Sequence, residues 1–138
     1  MGWNLEVTAV KTDELFLAVP DVFLSTETTM SFEYATSYER FPDLCVAQVG
    51  DWAVVLDSGQ RLSGSTDYLK ERSAGTELHL VRVDTPAIAL HYANGQRVTE
   101  EQSPDDEDGE TWAMDLLYDR IGISFGDLWD VKFTVFEV

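Results

Sequence analysis

The 138-residue chain carries 26 Asp and Glu residues against only nine Lys and Arg, which gives a formal net charge of −17. A surface of this sign repels phosphate backbones and anionic lipids. Direct binding of nucleic acid or of a membrane surface is therefore disfavoured, whereas a basic protein or a cation is attracted. The length and a hydrophobic content of 44% fit one domain, residues 1–138, with one core.

Three features predict a reduced, cytoplasmic protein. No apolar run approaches the ~20 residues that span a bilayer. The N-terminus has no basic start and no hydrophobic core of the signal-peptide kind. Cys45 is the only cysteine, so no internal disulfide can form, and its apolar neighbours indicate a small core residue.

The first third of the chain predicts two strands and a short helix. Apolar residues alternate with polar ones over 3–9 and, less regularly, over 30–34, which is the period of a half-buried strand. Residues 12–19 are predicted as a short helix that begins at a Thr-Asp-Glu sequence and ends before Pro20.

A hairpin of two central strands is predicted over 44–57. Residues 44–49 and 52–57 are apolar on both faces, as expected of strands that are covered on both sides. Gly50 and Asp51 separate them, and glycine at the first position of a two-residue loop favours a type II′ turn.

The middle of the chain predicts a helix followed by three strands. Ser65 can cap a helix running to about Ser73, and Gly75 can end it with a left-handed residue. The Asn94-Gly95 pair is a strong signal for a tight hairpin. The strands are predicted over 77–83, 87–93 and 96–100.

The C-terminal part predicts one more helix and a closing strand. Thr111 is suited to cap a helix that ends at Gly122, and residues 131–138 alternate as a strand does. Hairpins of strands with three helices between them predict an α+β fold, a mostly antiparallel sheet with two or three helices packed on it. The helix is expected to present Trp112, Leu116, Leu117 and Ile121.

Residues 100–110 form an acidic run in which seven of the eleven residues are Asp or Glu. Because block charge with Pro and Gly resists packing, the run is predicted to be a flexible loop. It is a poor calcium loop of the EF-hand type. With Gly109 at the invariant glycine position, Pro104 stands at the first ligand position and Asp115 where a bidentate Glu is needed.

Two further motifs resemble cofactor sites but are incomplete. Residues 59–66 have the spacing of a phosphate-binding loop, but Ser65 stands where lysine is required, so we interpret Ser65 as a helix cap and predict no cofactor. His79 and His91 lie on strands predicted to pair, but no third metal ligand can be assigned, and two structural histidines are favoured over a metal site. With no Gly-x-Ser-x-Gly elbow and no distinct acid–base pair, we predict no catalytic residue and no enzyme.

Four tryptophans divide into two groups. Trp3 and Trp52 fall on strand patterns and are expected in the core, whereas Trp112 directly follows the acidic run and Trp129 lies in a second segment flanked by acids. Aromatic anchors beside acidic residues are what a surface for a basic protein requires. The candidate partner-binding residues are Asp105, Asp106, Glu107, Asp108, Glu110, Trp112, Asp115 and Trp129.

The order of four short segments resembles small acidic bacterial α+β proteins, some of which accompany secreted toxins as immunity proteins. The segments are Val49–Leu56, Leu69, Ser73–Thr76 and Tyr92–Gly95. The similarity covers about residues 44–98 and carries no catalytic residue across. It implies a cytoplasmic bacterial protein that neutralises a toxin by binding it.

The function predicted from charge, aromatic residues and resemblance is a non-enzymatic protein-binding module, an immunity protein or inhibitor that occludes the active site of a basic toxin. One alternative is a nucleic-acid mimic whose carboxylates imitate phosphates and block a DNA-binding protein, which requires a regular stripe of charge. Another is a small enzyme or a ligand- or metal-binding domain. The sequence leaves the oligomeric state open.

Overall fold

The computed structural model describes residues 5–37, 43–84 and 86–138, and these form one sheet with helices on both faces. All strand pairs are antiparallel, which confirms the predicted α+β class. The strands are β1 (Leu5–Lys11), β2 (Leu24–Met30), β3 (Leu44–Val49), β4 (Trp52–Asp57), β5 (Glu77–Val83), β6 (Ile88–Ala93), β7 (Gln96–Gln102) and β8 (Phe133–Glu137). The helices are α1 (Phe32–Ala35), α2 (Thr66–Ser73), α3 (Gly109–Ile121) and α4 (Phe125–Trp129).

The sheet has the strand order β2-β8-β3-β4-β1-β5-β6-β7, so that β2 and β7 are its edges. The central strands β1, β3 and β4 are buried on both faces, which explains the nearly continuous apolar sequences of β3 and β4. The alternation in β1 predicted a half-buried strand, but its second face, with Glu6 and Thr8, is buried as well. One face packs against α1, α3 and α4, and the other against α2 and a 3₁₀ turn at Leu15–Ala18. Cys45 is buried among the core residues of the first face, as predicted.

Three predicted turns have the backbone that their sequences favour. Gly50 has φ +60°, and the pair Asn94 and Gly95 has φ +52° and +79°, the two positive values that a type I′ hairpin turn requires. Gly122 ends α3 in the left-handed region. The first two turns close the β3–β4 and β6–β7 hairpins, while His79 lies directly opposite His91 in the separate β5–β6 pair.

The structure corrects two elements in the first third of the chain. Residues 12–19 contain only the short 3₁₀ turn and no α-helix. Residues 30–34 are not a strand, because β2 ends at Met30 and α1 follows. Phe32 and Ala35 are both buried, and their i, i+3 spacing matches the helical period, which the apparent alternation concealed. Trp3 lies outside the described residues.

Helix α3 begins earlier than predicted, because Asp108 and not Thr111 is its cap. The Asp108 carboxylate accepts hydrogen bonds from the backbone N–H and the hydroxyl of Thr111, at 3.0 and 2.9 Å. Helix α2 has its predicted bounds, but the Ser65 side chain makes no capping hydrogen bond. No helix in the described parts of the chain is both long and apolar enough to cross a membrane.

Candidate functional site

The acidic run connects the edge strand β7 to α3 and is attached at both ends. Ser103 is buried, its N–H donates to the carbonyl of Ala87, and its hydroxyl accepts from the Ala87 N–H at 2.8 Å. Gly109 packs so closely on the carbonyl oxygen of Asp84 that a Cβ atom would overlap it. Residues 100–102 of the run thus belong to β7, and residues 109–110 belong to α3. The flexibility of the segment between them stays a prediction.

The helix that follows presents an acidic surface because of how it packs. Ala113, Met114 and Leu117 are buried against the sheet, so Asp115 and Asp119, which have other angular positions on the helix, face solvent. Trp112 and Leu116 are partly buried at the border of the two surfaces and pack against the core. A row of carboxylates therefore runs beside an apolar border.

These side chains enclose an open groove of about 430 Å³, which we call the acidic groove. Four of the predicted partner-binding residues meet there, namely Glu107, Asp108, Trp112 and Asp115. Among the described residues that line it, none is basic. The complete lining is Glu107, Asp108, Thr111, Trp112, Asp115, Leu116 and Asp119.

The other predicted residues are divided between the groove's border and separate positions. Asp105 and Asp106 are exposed in the turn that precedes α3, and Glu110 is half-buried in its first turn without lining the groove. Trp129 lies elsewhere: the residue is 48% exposed, and its ring stacks on that of Phe125 with centroids 5.7 Å apart. The structure therefore brings together half of the candidate set.

A second depression links the acidic groove to the neighbourhood of Trp129. It lies between α3 and α4, and Asp115 lines both depressions. Tyr118, which is 56% exposed, and Phe125 contribute aromatic surface to it. Neither Tyr118 nor Phe125 was predicted from the sequence, although Tyr118 lies one helical turn beyond Met114, on a face that the helical period could have indicated.

Hydrogen bonds at the start of α3 stabilise the charged form of one groove carboxylate, that of Asp108. The backbone N–H and the hydroxyl of Thr111 lower the pKa of the Asp108 carboxyl, because both stabilise its charged form. The guanidinium of Arg120 in the last turn of α3 is bound to Glu101 at 2.6 Å. The groove therefore presents negative charge that no described lining residue neutralises.

A second carboxylate cluster, unlike the groove, is buried. Glu6 and Asp57 are opposite residues on β1 and β4, Arg82 is opposite Glu6 on β5, and both carboxylates are fully buried. Burial raises the pKa of Glu6, while hydrogen bonds from Ser63 lower it in part. Sequence reasoning missed this cluster, since a charged residue is expected at the surface.

These two carboxylates accept hydrogen bonds from backbone N–H groups of the segment 59–66, which has the spacing of a phosphate-binding loop. Asp57 accepts from the N–H groups of Gly59, Arg61 and Leu62 at 3.0, 2.7 and 3.2 Å. Glu6 accepts from the N–H of Ser63 at 3.0 Å and also from its hydroxyl. Because a phosphate loop binds its ligand through such amides, this arrangement supports a structural role for the segment.

The two histidines face each other across the β5–β6 hairpin, as the predicted pairing requires. Their rings stack with centroids 4.1 Å apart and an interplanar angle of 14°. Glu77, two residues before His79 on the same strand face, brings a carboxylate oxygen to 3.8 Å from Nε2 of His79 and 3.5 Å from Nε2 of His91. Thr85, the predicted centre of this turn, is outside the described residues.

Burial and the proximity of His91 lower the pKa of His79 to about 4, so its ring is uncharged at neutral pH. Trp52 packs edge-on against the same ring at 5.6 Å, and it is itself buried, as predicted. Within the described chain, Nε2 of His91 is shielded from solvent but has no hydrogen-bond partner. The structural role of the two histidines stays a prediction.

No family model, curated protein or solved structure matches the chain.

Proposed function

We propose that the protein is a non-enzymatic binding module that recognises a basic protein through the acidic groove. The observation that carries this proposal is the convergence of four carboxylates with Trp112 and Leu116 in one open groove, with no basic residue among its described lining. The carboxylates supply steering and charge-assisted hydrogen bonds to Lys or Arg, and the apolar border supplies an anchor.

The charge of the whole molecule favours this kind of association. A net charge of −17 attracts a cationic partner at long range and raises its association rate, with a strong dependence on ionic strength. Once the partner is bound, Arg side chains can form bidentate contacts with the carboxylates of Asp115 and Asp119. The exposed turn at residues 104–107 would then lie against the partner's surface.

A more specific form of the proposal is that the partner is a basic toxin and the protein its cytoplasmic immunity protein, which occludes the toxin's active-site cleft. The resemblance of residues 44–98 to immunity-type proteins and the acidic groove both support it. A nucleic-acid mimic requires a regular stripe of charge, whereas the carboxylates of this groove form a local patch bordered by Trp112 and Leu116. The groove therefore favours recognition of a protein surface by anchoring as well as by charge.

The test is direct binding to the proteins encoded beside this chain's gene, measured by biolayer interferometry at low and high salt. We expect one basic partner whose association rate falls steeply with salt. If none of these proteins binds in a salt-sensitive manner, the proposal fails.

The position of the binding surface is tested with two variants of equal net charge. Neutralising three groove carboxylates should lower the association rate by roughly tenfold or more, while neutralising three carboxylates on elements of the opposite sheet face should lower it much less. Equal losses in both variants would remove the groove from the mechanism. The groove variant carries E107Q, D115N and D119N, and the control carries D13N, E14Q and E71Q.

A further inference from the structure

A second group of polar side chains lies on β5 and β6, apart from the acidic groove. We propose that Glu77, His79 and His91 form a binding site for a divalent transition-metal ion of the Zn²⁺ class. This inference does not rest on the proposed function, because none of the three side chains lines the groove.

The positions of the three side chains fit a common ion. Their ligand atoms all lie within 4.8 Å of one another. Nitrogen and oxygen ligands lie ~2.0–2.2 Å from Zn²⁺, so two ligands of one tetrahedral ion are ~3.4 Å apart. The separations of 3.8 and 3.5 Å from the Glu77 oxygen to the two imidazole nitrogens are close to that value. The two rings are stacked with an interplanar angle of 14°, so binding requires the partly exposed His91 ring to turn until both nitrogens point at one ion.

The donor set selects for the class of ion. Two imidazoles and one carboxylate suit Zn²⁺ and its transition-metal neighbours, whereas Ca²⁺ and Mg²⁺ prefer sites made of oxygen atoms. Imidazole binds such an ion through the lone pair of a ring nitrogen. The Glu77 carboxylate supplies a negative charge that offsets part of the charge of the ion.

An incomplete hydrogen-bond arrangement points to the same site. The Nε2 atom of His91, shielded from solvent and without a partner among the described residues, lies 3.5 Å from the Glu77 oxygen. A shielded polar atom without a partner is unfavourable, and coordination of an ion would satisfy it. Arg120 contributes a positive charge near the site, which would oppose a cation. Its guanidinium is bound to the Glu101 carboxylate, which offsets that charge.

The site has an exposed side and a closed side. His79 is buried beneath Trp52, while the side chains of Glu77 and His91 are 35% and 20% exposed. Three protein ligands leave a tetrahedral ion with one further position, as in zinc sites that bind solvent or an exogenous ligand. We therefore expect the fourth position to be exchangeable.

The test is titration of the chelator-treated full chain with Zn²⁺ by isothermal calorimetry, with excess Ca²⁺ present to occupy surface carboxylates. We expect one Zn²⁺ per chain, and a weakening of roughly tenfold or more in both H91Q and E77Q. E100Q on the neighbouring strand β7 removes the same charge as E77Q from an exposed carboxylate and should leave the affinity unchanged. Co²⁺ should give the visible absorption of a tetrahedral ion in the wild-type protein and lose it in H91Q.

Two results would overturn the proposal. One is the absence of stoichiometric Zn²⁺ binding by the wild-type chain, and the other is equal affinity of the wild type, H91Q and E77Q. Circular dichroism establishes that each variant is folded. Should H91Q fail to fold, E77Q decides the question, because the half-exposed Glu77 can be replaced by its isosteric amide without opening the core.

Discussion

The acidic groove and the buried Glu6–Asp57 pair contain the same chemical groups in opposite environments. In the buried pair, backbone N–H groups and arginine side chains surround the carboxylates, which hold the 57–64 segment against the sheet. In the groove the carboxylates face solvent, and within the described part of the chain only that of Asp108 accepts hydrogen bonds, as the cap of α3. The buried groups bind the segment that packs on the sheet, whereas the exposed groups are those that we propose a basic partner recognises.

The largest expected effect comes from removing a buried carboxylate. Asp57→Ala leaves three amide N–H groups without their acceptor and should lower the free energy of unfolding by ~3 kcal/mol. Urea denaturation followed by circular dichroism measures the change. Glu107→Ala in the groove should alter stability by less than ~0.5 kcal/mol. Similar losses in the two variants would abolish the distinction between the regions.

A smaller effect is expected where the acidic run joins α3. Gly109→Ala places a Cβ atom against the Asp84 carbonyl and should destabilise the protein by ~2 kcal/mol. Gly126→Ala in α4 is the matched control, since its Cβ would have only an ordinary contact with the Ser124 hydroxyl at 3.7 Å. Thermal unfolding of both variants makes the comparison. A normal melting temperature for Gly109→Ala would contradict the close attachment of the run.

The two regions should also differ in the sign of their pH dependence. The pKa of Glu6 is raised, so its contribution to stability is fully present below its unfolded value of about 4.5 and is lost as pH rises through the folded pKa. The pKa of Asp108 is lowered, so its contribution is present above about 3.8 and is lost as pH falls through the folded pKa.

Denaturation of Glu6→Gln and Asp108→Asn between pH 3 and pH 7 tests these opposite signs. We expect the stability difference between wild type and Glu6→Gln to shrink as pH rises, and that between wild type and Asp108→Asn to grow. Parallel curves for the two variants would show that burial does not separate the two carboxylates.

The smallest effect is expected from the exposed turn before α3. Asp105→Asn with Asp106→Asn should slow association with a basic partner a few-fold at low salt and leave the dissociation rate and the melting temperature unchanged. Surface plasmon resonance at two salt concentrations measures both rates. An unchanged association rate would limit the binding surface to the groove itself.

The sequence predicted those parts of the fold that depend on local patterns. The two-sided apolar segments over 44–57 and the Asn94-Gly95 pair specified two hairpins that the structure confirms. The predicted pairing of 77–83 with 87–93 is also present, and it sets His79 opposite His91. Prediction from the sequence failed for α1, because a four-residue helix shows one helical spacing at most, and tertiary packing of Phe32 against Phe125 and Phe133 decides its conformation.

The candidate sites were predicted only where their residues are close in sequence. The acidic run and Trp112 are adjacent in sequence, so their proximity in the groove could be anticipated, whereas Tyr118 and Phe125 meet only through the packing of α3 and α4. Glu77 could have been assigned, since residues two apart on a strand share a face. The burial of Glu6 and Asp57 could not have been predicted, because it depends on which elements cover that face of the sheet.

The edge strand β2 has a consequence for assembly. Glu27 takes a left-handed φ of +64°, and the register with β8 shifts between Ser25 and Thr29. The amides of Glu27 and Thr28 are bound by the hydroxyls of Ser25 and Thr26. An exposed edge is a template for pairing with another chain. This edge is bent, and its own hydroxyls bind two of its amides, which opposes edge-to-edge association of two copies through β2.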